Sequence, residues 1–183
     1  RELRWNTTQQ WYEFGLWKVI AAKVLFYTPL VLLHGGFILT LIYLFLELPI
    51  AGSIAVILLA QTVMLLAVWL MVLTIFFALK DSARVISFCT AMFAPAFAFM
   101  GVTFPVHEMP VAAQWWRVIM PTSHYIETHI AVVSYGQSLI ASLPQILSYW
   151  GFLLLLIPIS IFAKKGFPAI DEQSETNEWV KGQ

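Results

Sequence analysis

Apolar residues in this chain gather into runs long enough to cross a bilayer, which takes about 20 of them in a helix. Residues 24–46 form the first run, free of formal charge, and residues 53–79 the second. At 1.5 Å per residue the second reaches about 40 Å, so it is expected to tilt or to emerge from the hydrocarbon. Residues 85–100 and 143–163 form the third and fourth. Each run is predicted as a transmembrane helix. Pro29, His34, Gly35 and Gly36 interrupt the first, and Pro95 should kink the third. The glycine pair predicts a face where a neighbouring helix comes close, while Gln61 and Thr62 are placed to bond across helices. His34 is a functional candidate by position; the plainer and favoured reading is a neutral imidazole bonded to a neighbouring helix. Pro144 is read in the first turn of the last span, where proline is tolerated. The breaks at 47–52 and 80–84 are short.

Between the third and fourth runs the pattern changes. Residues 101–127 read GVTFPVHEMPVAAQWWRVIMPTSHYIE. Pro105, Pro110 and Pro121 each remove a backbone donor and disfavour helix in the residue before, and the longest piece between them carries Gln114 and Arg117. This stretch cannot cross the bilayer. It predicts a broken helical hairpin over residues 103–135 that dips into the membrane from one side, with Trp115 and Trp116 at headgroup depth. Irregular backbone at that depth persists only under protein cover or beside a water-filled cavity, which points to a pathway rather than an anchor. Thr122 or Ser123 is expected to cap the second helix, Glu127 to sit favourably on its dipole, and Gly136 to stop it.

Composition settles the class. Of 183 residues, 60% are hydrophobic and 11% charged, against about 25% charged in a soluble domain. Basic residues then fix the orientation. With four spans both ends share one side, which holds Arg1, Arg4, Lys18, Lys23, Lys80, Arg84, Lys164, Lys165 and Lys181, while Arg117 alone lies on the other. Both ends are therefore expected in the cytosol and the hairpin outside. Residues 1–23 predict a short cytosolic helix starting near Thr7, which forms a capping box with Gln10, or an interfacial helix held by Trp11, Phe14 and Trp17. Residues 164–183, with Asp171, Glu172, Glu175 and Glu178, predict a disordered tail. The single Cys89 allows no intrachain disulfide. The chain opens on Arg1 without a signal peptide, as expected of part of a longer protein.

Candidate chemistry is sparse. No G-x-x-x-x-G-K-[ST] phosphate loop occurs, so the chain does not bind ATP in that way. His124, Glu127 and His129 suggest a zinc site, but histidines five apart stand about 140° apart around a helix, against the i, i+4 pair of metalloproteases. No metal is expected. The same three residues would carry a membrane enzyme as the second reading; a non-transporting scaffold is the third.

The order of polar helix, three spans, broken hairpin and last span resembles the second part of a type-2 ABC transporter permease. The hairpin pattern G-V-T-F-P-x-x-x-M-P, then aromatics, then M-P-T-S-H-Y, is similar to the bacterial drug-exporter branch. Gly101, Phe104, Pro105, Met109, Pro110, Pro121, His124 and Tyr125 carry the match. The resemblance covers essentially residues 1–163. The family's coupling segment has Arg-Glu, then Gly-Thr, where this chain has Arg1-Glu2 and Asn6-Thr7; asparagine in place of glycine is a departure that a left-handed turn would absorb. Two earlier spans of family permeases are absent. The resemblance implies an all-α integral membrane protein with four transmembrane helices, a re-entrant outward hairpin and a cytosolic N-terminal helix, in a bacterial inner membrane. It implies coupling to an ATPase through Glu2, Arg4, Thr7 and Gln10, and an export pathway at Pro105, Pro110, Arg117, Pro121, His124, Tyr125 and Glu127. The implied partners are an ABC ATPase that carries the ATP, a second permease of like or unlike sequence, the lipid bilayer and a periplasmic adaptor, and no nucleic acid. No cofactor belongs to this chain itself.

Overall fold

The computed structural model describes residues 15–102 and 105–164. Glu2, Arg4, Thr7 and Gln10, Phe104 and the acidic tail lie outside the described residues. Those described form helices and connecting turns, with no strand among them.

Helix α1 (Leu16–Thr40) starts at Gly15, whose φ of 87° suits a residue without a side chain, and runs on into one π-helical segment, Leu41–Phe45. The first span is thus a single helix of 30 residues, Leu16–Phe45. It reaches further back than residue 24 because nothing after Gly15 breaks the helix. Pro29 lies inside it, removing one intrahelical donor without ending it. Helix α2 (Ile54–Leu79) is capped by the Ser53 hydroxyl, which accepts from the Ala55 amide, and ends at Lys80 in a left-handed conformation. Asp81 then caps α3 (Ser82–Phe99), its Oδ1 accepting the Arg84 amide at 3.0 Å. The connection expected at 80–84 therefore shrinks to Lys80 and Asp81.

Among the described residues, three helical stretches are long and apolar enough to cross a membrane: Leu16–Phe45, Ile54–Leu79 and Leu139–Ala163. The third predicted span, in α3, is shorter, with its apolar part at Ala83–Phe99. After a 3-10 turn (Val106–Glu108) come α4 (Val111–Ile119) and α5 (Pro121–Tyr135). Gly136 closes α5 with φ 64°. The Ser138 hydroxyl caps α6 (Leu139–Leu147), so Pro144 falls beyond the first turn; the helix tightens to 3-10 over Ser148–Leu155 and ends as α7 (Leu156–Lys164).

Helix α2 is the packing centre, touching α1, α3, α5, α6, the Ser148–Leu155 segment and α7. It supplies buried residues to three stacked clusters. At one end Phe76 and Phe77 meet Ile20, Ile159 and Ala163, near Lys18, Lys80 and Arg84. Midway, Met71 meets Ala96 and Met120, with Trp116 and Phe152 against them. At the far end Val56 and Ile57 meet Leu39 and Val132, with Tyr43 and Tyr125 alongside. Most outward-facing side chains are also apolar, Leu25, Leu33 and Phe45 being 76%, 73% and 79% exposed. A helix apolar all round in a chain this size belongs in lipid.

One glycine of the pair marks a close approach. A Cβ on Gly35 would lie 1.9 Å from Gln61 Nε2, so glycine there leaves room for the end of the Gln61 side chain between α1 and α2. Gly36 meets only Leu58 at 3.9 Å, an ordinary contact. The polar residues expected to bridge helices do otherwise. Thr62 donates to Leu58 O of its own helix at 2.7 Å, and Gln61 Oε1 is buried without a partner among the described residues. The cross-helix bond comes instead from Trp69 Nε1, donating to Thr28 Oγ1 at 3.2 Å. His34 is exposed and has no hydrogen-bond partner among the described residues, so the neighbour-bonded reading does not hold within this chain.

Candidate functional site: the folded helical pair and its seat

The prolines break the chain at the positions the sequence predicts. Pro105 precedes the 3-10 turn, Pro110 precedes α4, and Pro121 is the first residue of α5, where its missing donor costs nothing. At helical rise α3 climbs about 27 Å, α4 falls back about 13 Å and α5 climbs about 22 Å, a net rise of about 36 Å. Helix α2 spans about 39 Å by the same measure. The three short helices therefore cover together the height that α2 covers alone, with the α4–α5 turn at Met120 buried against Met71 and Ala96.

Specific bonds hold this pair. Arg117 of α4 forms an ion pair with Glu127 of α5, the two side chains being 14% and 42% exposed. Glu127 is thus a partner for a largely buried cation; the helix dipole alone does not account for it. The Gly101 backbone lies close by: a Cβ there would stand 3.4 Å from an Arg117 terminal nitrogen. Gln114 Nε2 donates to Met109 O at 2.9 Å, closing the turn around Pro110. The Tyr149 hydroxyl donates to Pro121 O at 2.7 Å and ties the turn to the last span. Two expectations differ here. The N-cap of α5 is Met120, and the Thr122 and Ser123 hydroxyls are buried without partners among the described residues. Trp115 is exposed, whereas Trp116 packs into the middle cluster with its Nε1 buried and unpartnered among the described residues.

The histidines of α5 face different neighbours. His124 Nε2 bonds Val118 O at 3.0 Å, and its Nδ1 lies 3.4 Å from Ser148 Oγ. His129 sits between two tyrosines, with Nε2 2.7 Å from the Tyr43 hydroxyl and Nδ1 3.1 Å from that of Tyr125. A neutral imidazole has one donor and one acceptor nitrogen, so in that form one tyrosine donates to it and the other accepts. His124, Glu127 and His129 therefore point to Ser148, Arg117 and Tyr43 respectively, and do not converge. Pro105 and Pro110 shape the pair's entry, while Pro121, His124, Tyr125, Arg117 and Glu127 hold its body. Below the turn lies a cavity of about 530 Å³, bounded by α2, α3, the α4–α5 turn and the Ser148–Leu155 segment.

The other end of α5 is clamped. Ala51 N donates to Val133 O at 2.9 Å, and Gly52 lies so close that a Cβ would stand 2.6 Å from Val132 O. The 47–53 loop and the end of α5 thus share one end of the bundle, opposite Lys80.

The family model of the ABC-2 family transporter protein matches residues 13–162. The chain belongs to the ABC-2 transporter family. No curated protein and no solved structure matches it. An ABC-2 chain is the membrane permease of an ABC transporter: a transport component with no catalytic role of its own, whose family implies an ATPase partner and a second permease. Within this ABC-2 chain, Tyr43, Ser148 and Tyr149 join the residues read from sequence. The Ser148-Tyr149 pair was findable as the polar break in an apolar run; Tyr43 has no comparable signal.

Proposed function

We propose that this ABC-2 permease forms half of the membrane path of an ATP-driven exporter of drugs or other amphipathic compounds in a bacterial inner membrane. It crosses the membrane four times, α3 being the short crossing, with both ends in the cytosol. The α4–α5 pair re-enters from the outer face as the outer lid of the path. The carrying observation is this pair, broken at Pro105, Pro110 and Pro121 and seated on α2 in a chain of the ABC-2 family. The charge distribution supports the orientation, since Lys18, Lys80 and Arg84 lie by the end of the bundle opposite the 47–53 loop. Divergence of His124, Glu127 and His129 counts against the enzyme reading, which needs polar groups converging in one pocket.

Energy from the ATPase enters through the leading segment, residues 1–18, with Glu2 and Arg4 making the contact. The test uses the full-length protein with its ATPase in inside-out vesicles, following ATP-dependent uptake of an amphipathic dye. Pro110→Ala and Pro121→Ala should lower uptake more than they lower the amount of folded protein. Glu2→Lys with Arg4→Glu should uncouple hydrolysis from uptake while insertion stays normal. Unimpaired uptake in both proline variants would reduce the pair to an anchor.

A further inference from the structure

The cavity below the α4–α5 turn has a mismatch in its hydrogen-bond bookkeeping. Its walls are apolar side chains such as Met71, Met92 and Phe152, and no charged residue lines it. His124 and Ser148 are polar exceptions, 3.4 Å apart. A backbone carbonyl only accepts, so the bond from His124 Nε2 to Val118 O at 3.0 Å requires the proton on Nε2. In a neutral imidazole that leaves Nδ1 as a lone pair. Ser148 Oγ has one hydrogen and donates it to Gln145 O at 2.6 Å, again a carbonyl. Two acceptors therefore face each other with no proton between them, at a separation long for a hydrogen bond. Groups left so in an apolar cavity lose the solvation they would have in water.

We propose that this cavity is a binding site for an uncharged amphiphile whose hydroxyl or N–H group donates to His124 Nδ1 and Ser148 Oγ, its apolar body filling the space between α2 and the last span. The volume, about 530 Å³, lies within the usual range of small-molecule sites. A charged group is disfavoured because nothing in the lining would pair it. Entry lies at the rim formed by Val118 and Ile119, which are 57% and 54% exposed. The site belongs to one chain alone. It rests on the exporter reading only if the bound molecule is also carried, and its test reads binding only.

The probes are a diazirine-bearing decanol and its methyl ether, which share a chain and differ in the donor hydrogen. The full-length protein is held in nanodiscs of phosphatidylcholine, a lipid without a hydroxyl or N–H donor of its own. Photolabelling is mapped by mass spectrometry. The alcohol should label peptides containing Met71 and Met92 roughly two- to tenfold more than the ether, the worth of one net hydrogen bond. Ser148→Ala should shrink that ratio. Gly151→Leu should lower labelling by both probes, because a Cβ at Gly151 meets nothing within 4 Å and the larger side chain takes up part of the cavity. Equal labelling by alcohol and ether in the wild type would overturn the acceptor pair. Unchanged labelling in folded Gly151→Leu would overturn the site. Neither outcome bears on transport, which the uptake assay reads separately.

Discussion

Gly52→Ala isolates the clamp between the 47–53 loop and α5. Gly52 is not among the glycines with positive φ, so alanine adopts its backbone without strain and only space is at issue. The new methyl would lie 2.6 Å from Val132 O and 2.7 Å from Val132 Cγ1. Ordinary contact begins near 3.4 Å, so the loop must retreat by about 0.8 Å, as overpacked sites do by backbone shift. Val132 cannot yield instead, being fully buried against Leu39, Val56 and Ile57. A retreat of that size stretches the 2.9 Å bond from Ala51 N to Val133 O beyond useful length. Overpacking costs about 1–3 kcal/mol and the lost bond about 0.5–1.5 kcal/mol, so about 2–4 kcal/mol is expected together. Unfolding of the full-length protein by SDS in mixed micelles measures this, with Gly36→Ala as the comparison. A methyl at Gly36 meets only Leu58 at 3.9 Å within a helix, where alanine gains about 0.5–1 kcal/mol over glycine. Equal midpoints for the two variants would refute the clamp.

Removing the Glu127 charge with Glu127→Gln should cost about 1–2 kcal/mol, more than the 0.3–1 of a helix-dipole role, because Arg117 loses its counter-ion while largely buried; a double-mutant cycle with Arg117→Gln showing no coupling would exclude the pair's contribution. Tyr43→Phe removes the 2.7 Å bond to His129 and should cost about 0.5–1.5 kcal/mol. For topology, single cysteines at Ser82 and Ser138 in a Cys89→Ala background should react with an impermeant reagent from opposite sides, and labelling from one side would end the four-pass reading.

Backbone chemistry made the breaks of this fold legible. Pro110, Pro121 and Gly136 each act through their own φ or missing donor, so their effect survives any tertiary setting. Helix ends that depend on a cap were placed less well: Asp81 starts α3 and Ser138 starts α6 ahead of the apolar runs, because capping residues are polar and hydropathy excludes them. Pairings across the bundle were not legible. Glu127 reads as a lone charge until α4 folds back to bring Arg117 against it. Trp116 reads as an interfacial ring beside Trp115, yet neighbours on a helix diverge by about 100°, and one turns into the core as the other turns out. Nothing near Tyr43 in sequence announces His129, which lies 86 residues away.

Continuity of α1 bears most on how force would travel under the exporter reading. Had the helix ended near residue 23, a coupling segment would have met the first span through a joint, and motion at one would be absorbed there. Instead one helix runs from Leu16 to Phe45, a length of about 45 Å, interrupted in its hydrogen bonding only by the missing donor of Pro29. It is also the least covered of the three long spans, with 11% of its apolar window buried against 28% in α2, so little packing opposes its tilt. Its far end carries the π-helical turn, and that turn holds Tyr43 on His129. A tilt entering at Leu16 thus reaches α5 through one short hydrogen bond, while the 47–53 loop pins the end of α5 to α2. The bonded point moves and the pinned point stays. Helix α5 would therefore pivot about Val132 and swing its buried end, with Pro121 and His124, against the last span.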